Sequence, residues 1–544
     1  MPPSIDSGIR YDRQVRLWGE EGQASIGSAS VCVLGCDSLG TEILKSLVLA
    51  GVHAFCIIDG TTVEPSDIGQ NFFLHVDDIG KPRAEVVLDK LLELNPSVHG
   101  SISCQPPNLL TNEDLTTISK FTVVVSANQT EEVDMTFSKA LYNIGIPLVC
   151  VKTYGLLGSV KICINEHTIL NTHEDNSNPD LRLDVPFEKL SQLVKEVDLN
   201  EISVDELRHT PYLLLYFKAL EVYRKERNDL VAFPENYKDR QRIQQILKDF
   251  RRSSEESGSK DSENFDEARA AVNRAFQRTT IGNSLKSILT DNLCSTSTKP
   301  FWIICEALRQ FAEANNGLLP LRGTLPDMAS DTNRYTRLTT IFHEKALVDA
   351  KEVVQLAKAI EKKRGVDGII SDEIVYRFCK NADKILVQRG SCLDYASELP
   401  NVVKTIREQF EDGSTSGSVG SATWVLLLRA VERFRKEKGR FPGTNGVPVS
   451  IDARDLKVRI ESLVRETETV QQDTDAFDQV LQKVSDSAIA EMCRFGAAEL
   501  HVISSYIGGI AAQEVIKLST NQYVPIDNTF VFDGHTQQSA SFKF

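Results

Sequence analysis

The chain has 544 residues, 41% of them hydrophobic and 25% charged, with a formal net charge of -15 and a mean hydropathy of -0.20. Such a composition belongs to a globular protein of two or three domains, and excludes low-complexity, collagen-like and membrane-embedded chains. The acidic balance repels a phosphate backbone, so nucleic acid is not an expected partner, whereas a protein with basic patches is.

Residues 1–10 include Pro2, Pro3 and Asp6 and no apolar run, so no secretory signal is read there. No stretch reaches the roughly 18 apolar residues of a membrane span. The expected location is cytoplasmic, with the nucleus second. Eleven cysteines without a CxxC pair read as reduced thiols rather than a zinc ribbon or a disulfide framework, and no metal is expected.

From residue 30 to about 164, short β-rich runs alternate with amphipathic stretches, the pattern of βαβ units feeding a mainly parallel sheet. Strands are predicted over 31–35, 54–59, 121–127 and 147–151. Helices are predicted over 40–50 and 81–94, the second stopped by Asn95 and Pro96.

The run VCVLGCDSLG, 31–40, lies where strand meets helix, the place of a nucleotide fingerprint. Gly35 and Gly40 hold the first and third glycine positions, but the middle one is Asp37, which brings bulk and like charge toward a phosphate. Asp59 closes the next strand, where an acid meets ribose hydroxyls. The glycine pattern alone fits a Rossmann scaffold kept for packing better than a working site.

Beyond residue 164 the texture turns to long charged amphipathic helices, such as 211–227, 236–252 and 341–363. Within this section, 252–264 and 411–421 are polar and Ser-rich, and read as exposed, mobile loops. HTPY at 209–212 reads as a helix start, and His75 and His501 as structural.

Near residue 485 dense apolar packing returns, and 497–517 is apolar nearly all round, which for a helix means burial. Gly508 and Gly509 cost that helix roughly 1 kcal/mol each, which close approach of another backbone would offset. A terminal strand or hairpin over 523–533 completes an α/β domain that the helical section interrupts. The domains are thus expected at 1–165, 166–485 and 486–544.

Three segments in this order, YDRQVRLWG at 11–19, the block 35–85 and SSYIGGIAAQEVIK at 504–517, resemble the ubiquitin-activating enzyme superfamily. With LPLRGTLPDM at 319–328 and the closing NTFVFDGHTQQSASFKF, the resemblance covers essentially the whole chain. It runs to the regulatory, amyloid-precursor-protein-binding subunits of the heterodimeric neddylation activating enzymes. The resemblance implies a Rossmann-like, ThiF/MoeB-type pseudo-adenylation domain carrying a large helical insertion. It also implies a non-thioester-forming role in activating a ubiquitin-like modifier, beside a catalytic subunit that holds ATP, Mg and the active cysteine, with a conjugating enzyme reached through the complex.

Against the superfamily's active half, this chain has Thr61 for a second acid, Gly69 and Gln70 for an Asn and an Arg, Arg83 for a phosphate-reaching lysine, and Asn128 for a later acid. Five or six such losses, each weakening a charge-assisted contact worth about 1.5 to 3 kcal/mol, imply no cofactor in its own pocket, where Gly35, Gly40 and Asp59 are vestiges. The resemblance assigns Arg13 to reach, in trans, the phosphates of the partner. Tyr11, Gln14, Arg334, Tyr335, Ile507, Gly508, Gly509, Gln513 and Glu514 are the expected interface residues.

Cys294, beside Ser295 and Thr296 and near Lys299, is the best-looking nucleophile but lacks the surrounding motif of the superfamily's catalytic cysteines; Cys305, Cys379 and Cys392 rank below it. Competing readings are a self-sufficient activating enzyme or adenylyltransferase, a NAD-dependent oxidoreductase, and a pure interaction scaffold in which Arg13 has no catalytic contribution; the bland reading of Arg13, Asp12 and Trp18 is a surface ion-pair and stacking cluster.

Overall fold

The computed structural model describes residues 10–173, 180–251, 263–274, 278–411, 419–467 and 474–544. They fall into two compact units, one of Met1–Ile169 with Val387–Phe544 and one of Leu170–Leu386. Most of the two expected loops lies outside the described residues. Residue 264, expected in the first loop, is instead helical: Asn264 is fully buried and its amide donates to the Leu207 and Thr210 carbonyls.

The first unit begins with helix α1 (Asp12–Ile26) and strand β1 (Ser30–Leu34), then α2 (Ser38–Ala50), β2 (Ala54–Ile58), α3 (Arg83–Leu94) and β3 (His99–Ser103). After helix α4 (Asn112–Ile118) follow β4 (Val123–Ala127), α5 (Glu131–Ile144), β5 (Leu148–Tyr154), β6 (Leu157–Cys163) and β7 (Glu166–Ile169). Buried runs such as VCVL and VVVSA are what a strand covered on both faces needs. β3 escapes sequence reading because HGSIS carries one apolar residue and pairs only at the sheet edge.

The second unit is almost all helix, represented by α6 (Tyr212–Arg227), the short α7 (Asn292–Thr296), α8 (Pro300–Ala314) and α9 (Thr332–Arg364). Its largest described core gathers Leu213, Tyr216 and Leu220 of α6 with Leu338 and Phe342 of α9.

Back in the first unit come α10 (Tyr395–Glu411), α11 (Ser421–Lys438), α12 (Val449–Arg465), α13 (Asp486–Phe495) and α14 (His501–Thr520), then the hairpin β8 (Thr529–Asp533) and β9 (Gln538–Phe542). The sheet order is β9-β8-β6-β5-β4-β1-β2-β3. Its β5-to-β3 half is parallel in the doubly wound order, and its other strands are antiparallel. One face packs on α2, α3 and α14, the other on α4 and α5.

The domain boundaries differ from expectation at residue 485. The helical stretch from Val387 onward groups with the α/β unit because Leu427, Val431 and Ile460 share one core with Leu157 of β6 and Val531 of β8. The separate inserted unit is therefore 170–386, not 166–485.

Candidate functional site

The glycine loop shows why each glycine stands where it does. Gly35 has φ +87°, and a Cβ there would sit 2.5 Å from the Gln129 amide nitrogen. A Cβ on Gly40 would sit 2.1 Å from the Gly35 carbonyl oxygen, so the turn from β1 into α2 closes only with hydrogen at that position.

The amides that such a loop turns toward a phosphate are engaged by carboxylates of this chain. Cys36 N donates to Asp59 Oδ2 at 2.8 Å, Ser38 N to Glu499 Oε2 at 3.2 Å and Gly40 N to Asp37 Oδ1 at 2.9 Å. Asp37 is the N-cap of α2 and also accepts from the Asn128 side-chain amide at 2.9 Å. The residue that looked like damage to a phosphate loop is thus a helix cap.

Asp59 is clasped further by Thr61 N at 2.8 Å, Thr61 Oγ1 at 2.5 Å and the Arg83 guanidinium at 2.8 and 3.1 Å. Burial works against its carboxylate, but Arg83 and the Thr61 bonds outweigh burial and hold its pKa below the usual range. Burial pushes the Asp37 carboxyl up against the pull of Arg83. Glu499 is pushed up to about 9, first by burial and then by Asp37.

Beside the loop lies a cleft of about 590 Å³ bordered by Gly35, Asp59, Thr61, Arg83, Gln129 and Leu110. It has the size of a ligand site. Its residues do not fit Mg-ATP: Arg83 is committed to Asp59 and Asp67, and the loop amides that would hold a phosphate are already engaged by Asp59, Glu499 and Asp37.

Glu499 and Gln129 are the site residues that sequence reasoning missed. The one signal for Glu499 was a lone acid at the head of the apolar 497–517 stretch.

Tyr11 precedes α1, its hydroxyl accepting from Asn95 Nδ2 at 3.0 Å and its ring closing on Gly51. Trp18 is buried, edge-on to Tyr523 at 5.1 Å, and Gln522 Nε2 donates to its carbonyl. The cluster of Asp12, Arg13 and Trp18 does not form: Asp12 pairs with Arg16 at 2.9 Å and Trp18 turns inward. Arg13 stays exposed, with no partner among the described residues, on a helix anchored at both flanks. Gln14 Oε1 is buried without a donor.

The expected interface residues of α14 divide in two. Ile507 is fully buried against Gly158, Gly508 lies where a Cβ would be 3.1 Å from Glu42 Cβ, and Glu514 binds Lys517 and the Ile526 amide. Those three serve this chain's own packing. Gly509 meets nothing within 4 Å and Gln513 is exposed, in line with Val502 and Tyr506. Close backbone approach accounts for the first glycine only.

In the second unit, the Arg334 guanidinium is held by Asp331 at 2.9 Å, and Tyr335 beside it is half-buried. Cys294, expected in a loop, lies on α7, is 2% exposed and donates to the Ile288 carbonyl at 3.1 Å. A hydrogen bond with Cys305 lowers its pKa, yet the sulfur is covered. Cys305 and Cys379 are buried and Cys392 half-buried, and Cys104 is the one exposed thiol among the described residues, with its pKa raised. Among the described residues no group of His, Cys, Asp or Glu side chains could hold a metal, and no helix is long and apolar enough to cross a membrane.

The model of the ThiF family matches residues 11–544. The chain is 66% identical to a NEDD8-activating enzyme E1 regulatory subunit of Caenorhabditis elegans, over 99% of both chains. It is 35% identical to the protein of that name in Danio rerio, also over 99% of both. With the NEDD8-activating enzyme E1 regulatory subunit AXL of Arabidopsis thaliana it shares 34% identity over 98% of each.

Proposed function

This chain belongs to the ThiF family and, within it, to the NEDD8-activating enzyme E1 regulatory subunits, and on that premise we propose that it acts only as one half of an activating heterodimer. ATP, Mg and the acceptor cysteine belong in this reading to the catalytic partner. A conjugating enzyme is met through the complex, and the complex resides in the cytoplasm, with the nucleus second.

The observation that carries the reading is the engagement of the Cys36, Ser38 and Gly40 amides by Asp59, Glu499 and Asp37. Donors that would hold a nucleotide here are used for folding, and no thiol of the second unit is placed as a nucleophile.

What this chain lends to the reaction is a guanidinium. Arg13, exposed on a helix whose neighbours are fixed, reaches the phosphates bound by the partner as charge moves onto departing pyrophosphate. The outward stripe of Val502, Tyr506, Gly509 and Gln513 meets the partner. It continues past His501 to Phe72, which stacks on the His501 ring at 3.6 Å and is 66% exposed.

The test is co-purification with the catalytic subunit, followed by ATP-dependent thioester formation with a panel of ubiquitin-like modifiers. The expected result is NEDD8 charged on the partner's cysteine. Charging onto a thiol of this chain, or micromolar Mg-ATP uptake by the isolated chain, overturns the reading.

A further inference from the structure

Away from the glycine loop, α10 and α11 cover the strand face of β5 and β6 and leave a cavity of about 70 Å³, room for several waters or one small organic molecule. Its charged side carries Lys152, Lys161, Arg429, Glu131, Glu398 and Glu432. Leu399, Val402, Val425 and Leu428 form its apolar side.

The cations there are engaged. Lys152 Nζ lies 3.2 Å from Asp134, Arg429 Nε lies 2.9 Å from Glu131, and Lys161 pairs closely with Glu398 Oε2. The Arg429 guanidinium lies over the Tyr395 ring at 3.9 Å, and the Tyr395 hydroxyl donates to Asp134 at 3.3 Å. The lining holds three carboxylates against three cations, with Asp134 a further acid behind it, and the cation nearest to Glu432, Arg435, is 3.7 Å away outside the cavity.

Two acceptors of this lining receive no hydrogen bond: Glu131 Oε1, which still has Arg429 Nε 2.9 Å away, and Glu398 Oε1, whose ion pair with Lys161 runs through the other oxygen. Glu398 is 8% exposed, and its Oε1 receives no hydrogen bond from the protein. A buried carboxylate oxygen without a donor is costly, and a ligand bringing an N–H donor and a positive charge removes that cost. An anion would meet Glu398 and Glu432 while finding every lysine and arginine of the lining paired. The facing apolar wall suits a short hydrocarbon body.

We propose that this cavity binds a small primary alkylammonium, its nitrogen donating to Glu398 Oε1 and its alkyl chain lying against Val425 and Leu428. Ethylammonium is the probe, titrated into the full chain and followed by calorimetry and ligand-observed NMR, with ethanol and propionate as neutral and anionic counterparts of similar size. Ethylammonium binds saturably, neither counterpart displaces it, and Glu398→Gln weakens it about tenfold or more. Val425→Phe, which fills the apolar side, abolishes binding with the thermal unfolding midpoint little changed. Should Glu398→Gln not fold, the Val425→Phe variant decides. Absence of saturable ethylammonium binding at high millimolar concentration, equal binding of ethanol, or undiminished binding in either variant overturns the proposal.

Discussion

The backbone N–H of Ser38 donates to the side-chain carboxyl of Glu499 at 3.2 Å, joining positions 461 residues apart. Helix N-termini attract anions, and in this molecule the place of an anion at α2 is taken by a carboxyl group from the far end of the same chain. Occupying the pocket and closing the fold are then one event. A phosphate entering here would have to displace Asp37 and Glu499, and their departure would unpick the contact between β1, α2 and the segment leading into α14.

Replacing Arg13 by alanine slows pyrophosphate exchange by the assembled heterodimer, by roughly 10³-fold if a trans arginine contributes here as it does in phosphoryl transfer. Subunit pairing is unchanged, because Arg13 makes no bond among the described residues of this chain and the substitution leaves its fold intact. Arg13→Lys recovers only part of the rate, since an ammonium lacks the planar fork. Exchange kinetics beside size-exclusion chromatography of the complex check both halves. An unaltered exchange rate removes the catalytic assignment.

Glu499 gives the pH dependence a sign. Its folded pKa of about 9 exceeds the ordinary carboxyl value, so between about pH 4.5 and 9 the folded state holds a proton that the unfolded chain has lost. Stability from this group is complete below about pH 4.5 and is lost as pH rises toward 9. The slope is at most about 1.4 kcal/mol per pH unit. Glu499→Gln keeps an acceptor for Ser38 N and cannot ionise. The difference in unfolding midpoint between the variant and the parent chain should therefore grow in the variant's favour from pH 5 to pH 8.5. A constant difference across that range would contradict the assignment.

Arg83→Met leaves Asp59 and Asp67 beside each other without their shared cation. Breaking one partner out of a buried ion cluster costs about 3 to 5 kcal/mol. The thermal midpoint of the isolated chain should fall by several degrees, and Arg83→Lys should rescue it only in part, since the guanidinium reaches both acids at once. A midpoint unmoved in Arg83→Met would mean that the clasp carries no net stability.

Two glycines separate packing from partner contact. Gly40→Ala drives a methyl into the Gly35 carbonyl and should destabilise the isolated chain by about 2 to 4 kcal/mol. Gly509→Ala meets open space, so it should leave the isolated chain as stable or up to about 1 kcal/mol more stable. If the outward stripe of α14 meets the catalytic subunit, that variant weakens heterodimer formation instead. Parallel melting curves and pull-down titrations distinguish the two.

Much of this was legible in the sequence because the βαβ half writes itself in contiguous runs: VCVL, VVVSA and the capped amphipathic helices each stand alone as local signals. β3 was not legible, since an edge strand such as HGSIS needs little apolar character. The site was half legible. Asp37 showed as a misfit in a glycine loop, but its purpose depends on its bonds with Gly40 and Asn128, the second of which only tertiary structure brings near. Cys294 misled for a related reason: serine and threonine neighbours suggest a loop, whereas α7 tucks the sulfur under the Ile288 carbonyl. The boundary near residue 485 failed because charged amphipathic helices look alike whether they cover a sheet or one another.

The antiparallel pairing of β6 with β8 also bears on biosynthesis. The ribosome delivers β6 early, yet the strand that covers its edge emerges only after the entire 170–386 unit has been translated. Until then a nascent polypeptide carries an open row of backbone donors and acceptors, the kind of border that recruits other strands. Premature termination before residue 529 would leave that border permanently uncovered, so fragments of this protein should aggregate or be held by chaperones rather than accumulate as folded half-products.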